Sequence, residues 1–247
     1  MVSWLHKLYL SKDFKYEGVS LGGKKMYSYE RWSESLMNSF ERCYWIPSDP
    51  SVDFHYGCNT EVVNDRGIYK DLYGSSDEFR NYQCRPNQVV AMAVAPELFT
   101  PKLAHEAIEN IDRLLIGKNN PNFEIKLNIV KNKSLGMKTL SQSDMAYHGH
   151  YDNSDDSHGW NYHNGPEWVW PLGYYLIARL IFFGKENHDI LKYLIPHKKH
   201  FSHSPWMSLP ELTNENGEYC GDSCHAQAWS IGTILEAMHK ANHLDSN

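Results

Sequence analysis

Apolar residues along this chain recur at intervals of three and four far more often than they alternate, which predicts helices in preference to strands. In residues 27–46, YSYERWSESLMNSFERCYWI, the positions Tyr29, Trp32, Leu36, Phe40 and Cys43 form one stripe, with Ser28 placed as N-cap. A second helix is predicted in RPNQVVAMAVAPELF, with Pro86 near its first turn and Pro96 bending or ending it. Thr100 as N-cap and Pro101 as first residue open a third. Its apolar face is Ala104, Ala107, Ile111, Leu114 and Leu115, and Gly117 ends it. The stretch 121–142, PNFEIKLNIVKNKSLGMKTLSQ, holds a short strand before a long polar loop. A fourth helix runs from Pro166 to Phe183, apolar nearly all round, and stops at Gly184. ENHDILKYLIPHKKHF is a weaker fifth helix, broken at Pro196. HAQAWSIGTILEAMHKA is a sixth, with Trp229, Ile231, Ile234, Leu235 and Met238 turned inward. Paired helices with polar and aromatic residues gathered in alternate connections are the units of all-α barrels and solenoids.

Composition then removes several classes of function. At 247 residues and 41% hydrophobic, the chain can bury a sizeable core, and without an internal linker it reads as one domain. The net charge is −6 and the basic residues are scattered, so no nucleic-acid footprint is expected. The five cysteines are dispersed. Cys220 and Cys224 are spaced C-x3-C with no second pair to complete a zinc site, which suits reduced thiols and a cytoplasmic location. MVSWLHKLYLSKDFKYEG lacks a sustained apolar segment, so no signal peptide is read there. WVWPLGYYLIARLIFF is interrupted by Pro171, Gly173 and Arg179 and is too short for a comfortable span, so no membrane partner is expected. Eight tryptophans and 16 tyrosines are an excess, and rings with a polar edge serve both core packing and sugar stacking.

The densest chemistry lies in residues 147–171, YHGHYDNSDDSHGWNYHNGPEWVWP. His148, His150, His158 and His163 with Asp152, Asp155 and Asp156 could ligate a metal. Neither a zincin nor a calcium-loop spacing is present, however, and NSDDSHG reads better as a solvated turn. No metal is therefore expected. Glu167, in the first turn of the predicted fourth helix, either complements the helix dipole or bonds a sugar hydroxyl beside Trp168 or Trp170. Glu211 and Glu215 lie in the loop WMSLPELTNENGEYCGDS, where an acid is more often solvated than catalytic. Tyr69, Lys70, Asp71, Tyr82, Gln83, Arg85 and Asn87 add polar groups of the kind that orient a sugar. No G-x-S-x-G, P-loop or GxGxxG motif offers a rival chemistry or implies a cofactor. Two carboxylates around an aromatic-lined pocket would suit glycoside hydrolysis.

Three blocks go further: CRPNQVVAMAVAPELF, GWNYHNGPEWVWPLGY and LPELTNENGEYCGDSCHAQAWSIGTILE. They closely resemble the C-terminal end of the eukaryotic glycogen debranching enzyme family, from about Tyr27 to near Lys240. The resemblance implies the amylo-1,6-glucosidase part of that family: an (α/α)6 barrel, an inverting hydrolase, and glycogen or another branched α-glucan as partner. It implies Glu211, in LPELTNEN, as general base. Arg85, Asn87, Tyr151, Asp152, Trp160, Asn161, His163, Glu167 and Trp168 are the candidate sugar-pocket residues. The family's general acid sits in an upstream WGRD-type motif that these 247 residues do not contain. Its 4-α-glucanotransferase carboxylates are absent too. Twelve main helices make such a barrel and about six are counted here. The chain is therefore expected to be all-α, residues 1–247 forming the C-terminal half of the barrel. It is expected to be inactive alone, with the upstream part as a possible partner. The alternative is a non-catalytic glycogen-binding remnant.

Overall fold

The computed structural model describes residues 1–23, 25–117, 125–126, 129–130, 134–154, 160–184 and 190–243. The chain opens with α1 (Val2–Leu10), a hairpin of β1 (Gly18–Ser20) and β2 (Met26–Ser28), and α2 (Tyr29–Tyr44). The helix α1 was not read from the sequence; none of its residues is buried, and it lies against α2. Ser28 caps α2 as expected, its hydroxyl accepting from the Arg31 N–H at 3.2 Å. The predicted stripe on α2 is buried only in part. Tyr29 is buried and Phe40 packs on the core, while Trp32 and Leu36 face solvent.

Next come β3 (Trp45–Ile46) paired with β4 (Ile68–Tyr69), then α3 (Glu78–Asn81), α4 (Asn87–Val94) and α5 (Pro101–Ile111). Pro96 ends α4 by opening a separate short turn. Thr100 does not cap α5 with its side chain. Its hydroxyl and N–H both go to the Glu41 carboxylate at 2.6 Å, which ties α2 to the start of α5. A wide turn, Asp112–Ile116, follows α5, and Gly117 stops it at φ 78°, a left-handed conformation open to glycine.

The predicted strand in 121–142 is a hairpin, β5 (Ile125–Lys126) with β6 (Ile129–Val130), followed by β7 (Met137–Lys138). Residues 167–168 correct the fourth-helix boundary. They form β8 (Glu167–Trp168), the centre of an antiparallel sheet ordered β7–β8–β9, where β9 is Leu212–Thr213. Strand partners on both sides outweigh local helical preference there, and α6 (Trp170–Phe183) begins with Pro171 in its first turn. The fifth helix divides into α7 (Ile190–Tyr193) and α8 (Ile195–His203). The break is at Leu194, and Pro196 sits in the first turn of α8, not at its end. The described chain closes with α9 (Ala228–His243). The fold is mostly helical, in line with the expectation, with four small sheets among the described residues. No described helix is long and apolar enough to cross a membrane.

The core forms where α6 meets α4, α5 and α9. On α9 the buried face is Ser230, Thr233, Ile234 and Ala237; of the predicted inward residues Ile234 is buried and Ile231 packs on the core, while Trp229, Leu235 and Met238 are exposed. Close approach is the reason. At Gly173 of α6 an added Cβ would lie 2.4 Å from the Thr233 carbonyl carbon and Cβ, so only small side chains fit the crossing. Thr233 also donates its hydroxyl to the Trp170 carbonyl at 2.9 Å, and Trp170 stacks on Trp229 at 4.2 Å. Gly173→Ala is expected to lower the denaturant midpoint by an amount worth roughly 1–3 kcal/mol, the usual cost of overpacking. A midpoint unchanged from wild type would show that the helices separate freely.

Candidate active site

The three-stranded sheet positions two glutamates differently. Glu167, in its central strand, is 2% exposed. Its carboxylate accepts from the backbone N–H of Asn216 at 3.1 Å and of Gly217 at 3.0 Å, and from the Thr213 hydroxyl at 3.3 Å. Lys138, directly across in β7, places its ammonium 4.0 Å away. Burial pushes the Glu167 carboxyl up, against the pull of Lys138 and the two backbone donors. Glu167 thus shapes the 213–217 turn from beneath. It lies in a strand, so it does not complement a helix dipole.

Glu211 precedes β9 and is half-buried. Its backbone is clamped on both sides: its N–H donates to Cys224 O at 2.8 Å, and its carbonyl accepts from the Val169 N–H at 3.1 Å. Three donors address the carboxylate. The Tyr162 hydroxyl reaches Oε1 at 2.6 Å, the Gln227 amide reaches Oε1 at 3.1 Å, and the Cys224 N–H reaches Oε2 at 3.4 Å. Burial, then the neighbouring carboxylate, raises the Tyr162 phenol well above its ordinary value, so it stays a donor. Tyr162, Gln227 and Cys224 were not singled out by sequence for this role. Tyr162 stood inside a quoted block, but the contact spans 49 residues and no local pattern signals it.

Aromatic rings pack around this carboxylate. Tyr162 lies 4.8 Å from Trp168, 4.8 Å from His163 and 4.9 Å from Tyr151. Trp168 is buried with Leu212 and Cys220, and its indole N–H donates to the Tyr162 carbonyl at 2.9 Å. His163 leans on Trp168 at 4.9 Å; burial and then Arg85 hold its imidazole below the ordinary value, favouring the neutral ring.

The remaining sequence candidates divide into a frame and a rim. Asn161 is fully buried, and its amide ties the carbonyls of His148 and His150 at 3.1 and 2.5 Å. Arg85 spends its donors on Gln83, Thr139 O, His163 O and Asn164, so it pins the 163–164 segment. Asn87 is exposed and donates to Asp71 at 2.7 Å, on the Arg85 side of that frame. Tyr151, Asp152 and Trp160 form the rim. The Tyr151 hydroxyl donates to Asn153 at 2.6 Å, Asp152 accepts from the Ser154 N–H at 3.0 Å, and Trp160 is half exposed. Glu215 is braced by Gln142 and by its own N–H on Gly149 O at 3.0 Å.

Of the histidines and aspartates weighed as metal ligands, Asp155, Asp156 and His158 lie outside the described residues. Among the described residues no three His, Cys, Asp or Glu side chains gather as a metal set. All five cysteines are free thiols. Cys220 points its sulfur at the Tyr151 carbonyl, 3.0 Å away. Tyr69 and Tyr82 are buried, the first bonding Glu41 and the second accepting from the Asn59 N–H, so both serve the core.

The sequence is similar to that of known proteins. The glycogen debranching enzyme of Saccharomyces cerevisiae is 37% identical over 92% of this chain, which spans 15% of that protein's length. A family model described as amylo-alpha-1,6-glucosidase matches residues 4–236, so the likeness begins ahead of the Tyr27 expected from the sequence blocks and takes in α1. On that coverage the chain belongs to the amylo-alpha-1,6-glucosidase family.

Proposed function

We propose that this chain supplies the general base of an inverting α-1,6-glucosidase that removes branch glucose from glycogen-type limit dextrins. The observation that carries the reading is the asymmetric Glu211 carboxylate. Its Oε1 accepts two hydrogen bonds, from Tyr162 and Gln227, while Oε2 meets the long Cys224 N–H among the described residues. A carboxylate has about four acceptor sites, so Oε2 keeps room for a water. That water, deprotonated by Oε2, attacks the anomeric carbon from the face opposite the leaving oxygen. A second carboxyl must protonate the leaving oxygen, roughly 6.5–9.5 Å from the base. In the family this is the aspartate of the WGRD-type motif, which these 247 residues do not contain.

In this reading Tyr151, Asp152 and Trp160 meet the sugar at the rim, and Arg85, Asn87, Asn161, His163, Glu167 and Trp168 hold the loops behind them. Residues 1–247 form the C-terminal part of the barrel. Exposed Trp32 and Leu36 on α2, and Leu235 and Met238 on α9, support that assignment, because large apolar side chains at helical spacing usually have a partner. The partner is then the segment bearing the acid, and the compartment is the cytoplasm.

The test is the anomer of the released glucose, read by NMR on limit dextrin. The chain alone is expected to be silent. Supplied with a segment carrying the WGRD-type motif, it is expected to release β-glucose from the α-linkage. Release of α-glucose would remove the inverting mechanism. Release by the chain alone would remove the divided acid and base.

A further inference from the structure

A base that activates water must present one oxygen at a fixed place, because a misplacement of about 1 Å can cost on the order of 10²-fold in rate. The last torsion of a glutamate is broad and nearly two-fold, so a carboxylate without partners sweeps through many orientations. In Glu211 the two shorter hydrogen bonds fall on a single oxygen. The Tyr162 hydroxyl at 2.6 Å and the Gln227 amide at 3.1 Å both meet Oε1, and they arrive from opposite sides of the sequence.

Each donor is itself held. The Tyr162 ring meets Trp168 edge-on, with planes at 74° and centroids 4.8 Å apart, and leans on Tyr151 at 4.9 Å. The Trp168 indole N–H donates to the Tyr162 carbonyl at 2.9 Å, so one residue fixes both ring and backbone. Trp168 pairs with Leu212 across β8 and β9, and the Val169 N–H donates to the Glu211 carbonyl at 3.1 Å. Tyr162, Trp168 and the Glu211 segment therefore form a closed circuit, and the phenol cannot move far without breaking one of its links. Gln227 stands just ahead of α9. Its N–H donates to the Leu209 carbonyl at 2.9 Å, and its side-chain oxygen accepts from the fully buried Ser230 hydroxyl at 3.1 Å. With the amide oxygen engaged there, the amide nitrogen is the end that faces Glu211.

We propose that Tyr162 and Gln227 are positioning residues for hydrolysis: together they lock Oε1 of Glu211 and so fix Oε2 as the atom that takes the proton from water. The inference rests on Glu211 being the base, as proposed above. Tyr162 is the stronger of the two, because its bond is shorter and its ring is clamped by its neighbours. Both side chains act through Glu211, and neither exchanges a proton with the sugar.

The test is a kinetic cycle on limit dextrin, with the chain joined to its acid-bearing segment. Tyr162→Phe keeps the ring and removes only the hydroxyl. It is expected to lower kcat by roughly 10- to 100-fold with KM within about twofold of wild type, because a hydrogen bond to a charged group is lost and no sugar contact is. Gln227→Met keeps the length of the side chain without its donor, and should lower kcat by a smaller factor, about three- to tenfold. Placed on Glu211→Gln, either change should alter the residual rate by less than about twofold, since residues that act as a unit are not additive. Should Tyr162→Phe fail to fold, Gln227→Met decides by the same cycle. A raised KM with kcat unchanged would make the residue a sugar contact and overturn the proposal. So would an equal loss of rate in both backgrounds, which a merely structural role produces. If Glu211→Gln is dead while Tyr162→Phe and Gln227→Met turn over as wild type, the positioning falls and the base stands. If Glu211→Gln keeps its turnover, the base falls and the positioning falls with it.

Discussion

Glu211→Gln is expected to lower glucose release from limit dextrin by about 10²–10⁴-fold, with dextrin affinity nearly unchanged. Glutamine keeps the size of the side chain and one oxygen acceptor for Tyr162 and Gln227, which stand at 2.6 and 3.1 Å from Oε1. It cannot take a proton from water at the other atom. The loss therefore falls on the chemical step and leaves the sugar contacts in place. Glu215→Gln is the control from the same loop. Its carboxylate is braced against Gln142 and its backbone against Gly149, so its replacement should cost a small fraction of that factor. Turnover is measured with the acid-bearing segment present, and affinity by titration with a non-hydrolysed dextrin. A dead Glu215→Gln beside an active Glu211→Gln would transfer the base to position 215.

Asp112→Ala is expected to destabilise the protein by roughly 3–5 kcal/mol, the usual cost of removing one partner from a buried ion pair. Asp112 follows α5 directly and is buried. Its carboxylate takes the Arg179 guanidinium at 2.7 Å and the Tyr193 hydroxyl at 2.9 Å, and Tyr175 donates to it as well. One side chain thereby joins the end of α5 to α6 and α7. Truncation takes the 2.7 Å carboxylate from the buried Arg179 guanidinium, and the ring contacts to Phe183 and Tyr193 at 5.0 and 5.7 Å do not replace it. Urea unfolding monitored by far-ultraviolet circular dichroism reads the change. Asp112→Leu combined with Arg179→Leu should recover much of the loss, because both members of this buried ion pair are then removed together. A single variant within 1 kcal/mol of wild type would show that the cluster contributes little.

The helices were legible wherever periodicity agreed with caps. The spans 29–44, 87–94, 101–111 and the body of 170–183 follow from apolar spacing, from Ser28, and from prolines at the helix starts. Failure followed where a long-range partner competed. Pro166, Glu167 and Trp168 have the composition of a helix start, yet β7 and β9 claim Glu167 and Trp168 for a sheet. Trp229, Leu235 and Met238 have the greater hydrophobicity on α9, yet Gly173 draws Thr233 inward, because a close crossing admits only small residues.

The family was legible in the sequence alone, because blocks such as LPELTNEN carry the resemblance in consecutive residues, and Glu211 was proposed as base on that resemblance. Those blocks include the rim candidate Trp160, while Tyr151 and Asp152 lie in the polar stretch just ahead of them. What the sequence could not supply was the division of labour. Only the tertiary structure showed that Glu167, Asn161 and Arg85 spend their polar atoms on the loops, and that Tyr162 and Gln227 bond the Glu211 carboxylate. The physical reason is range. Residue type and spacing specify what a side chain can do, whereas its employment depends on which donor or acceptor arrives from 16, 49 or 79 positions away.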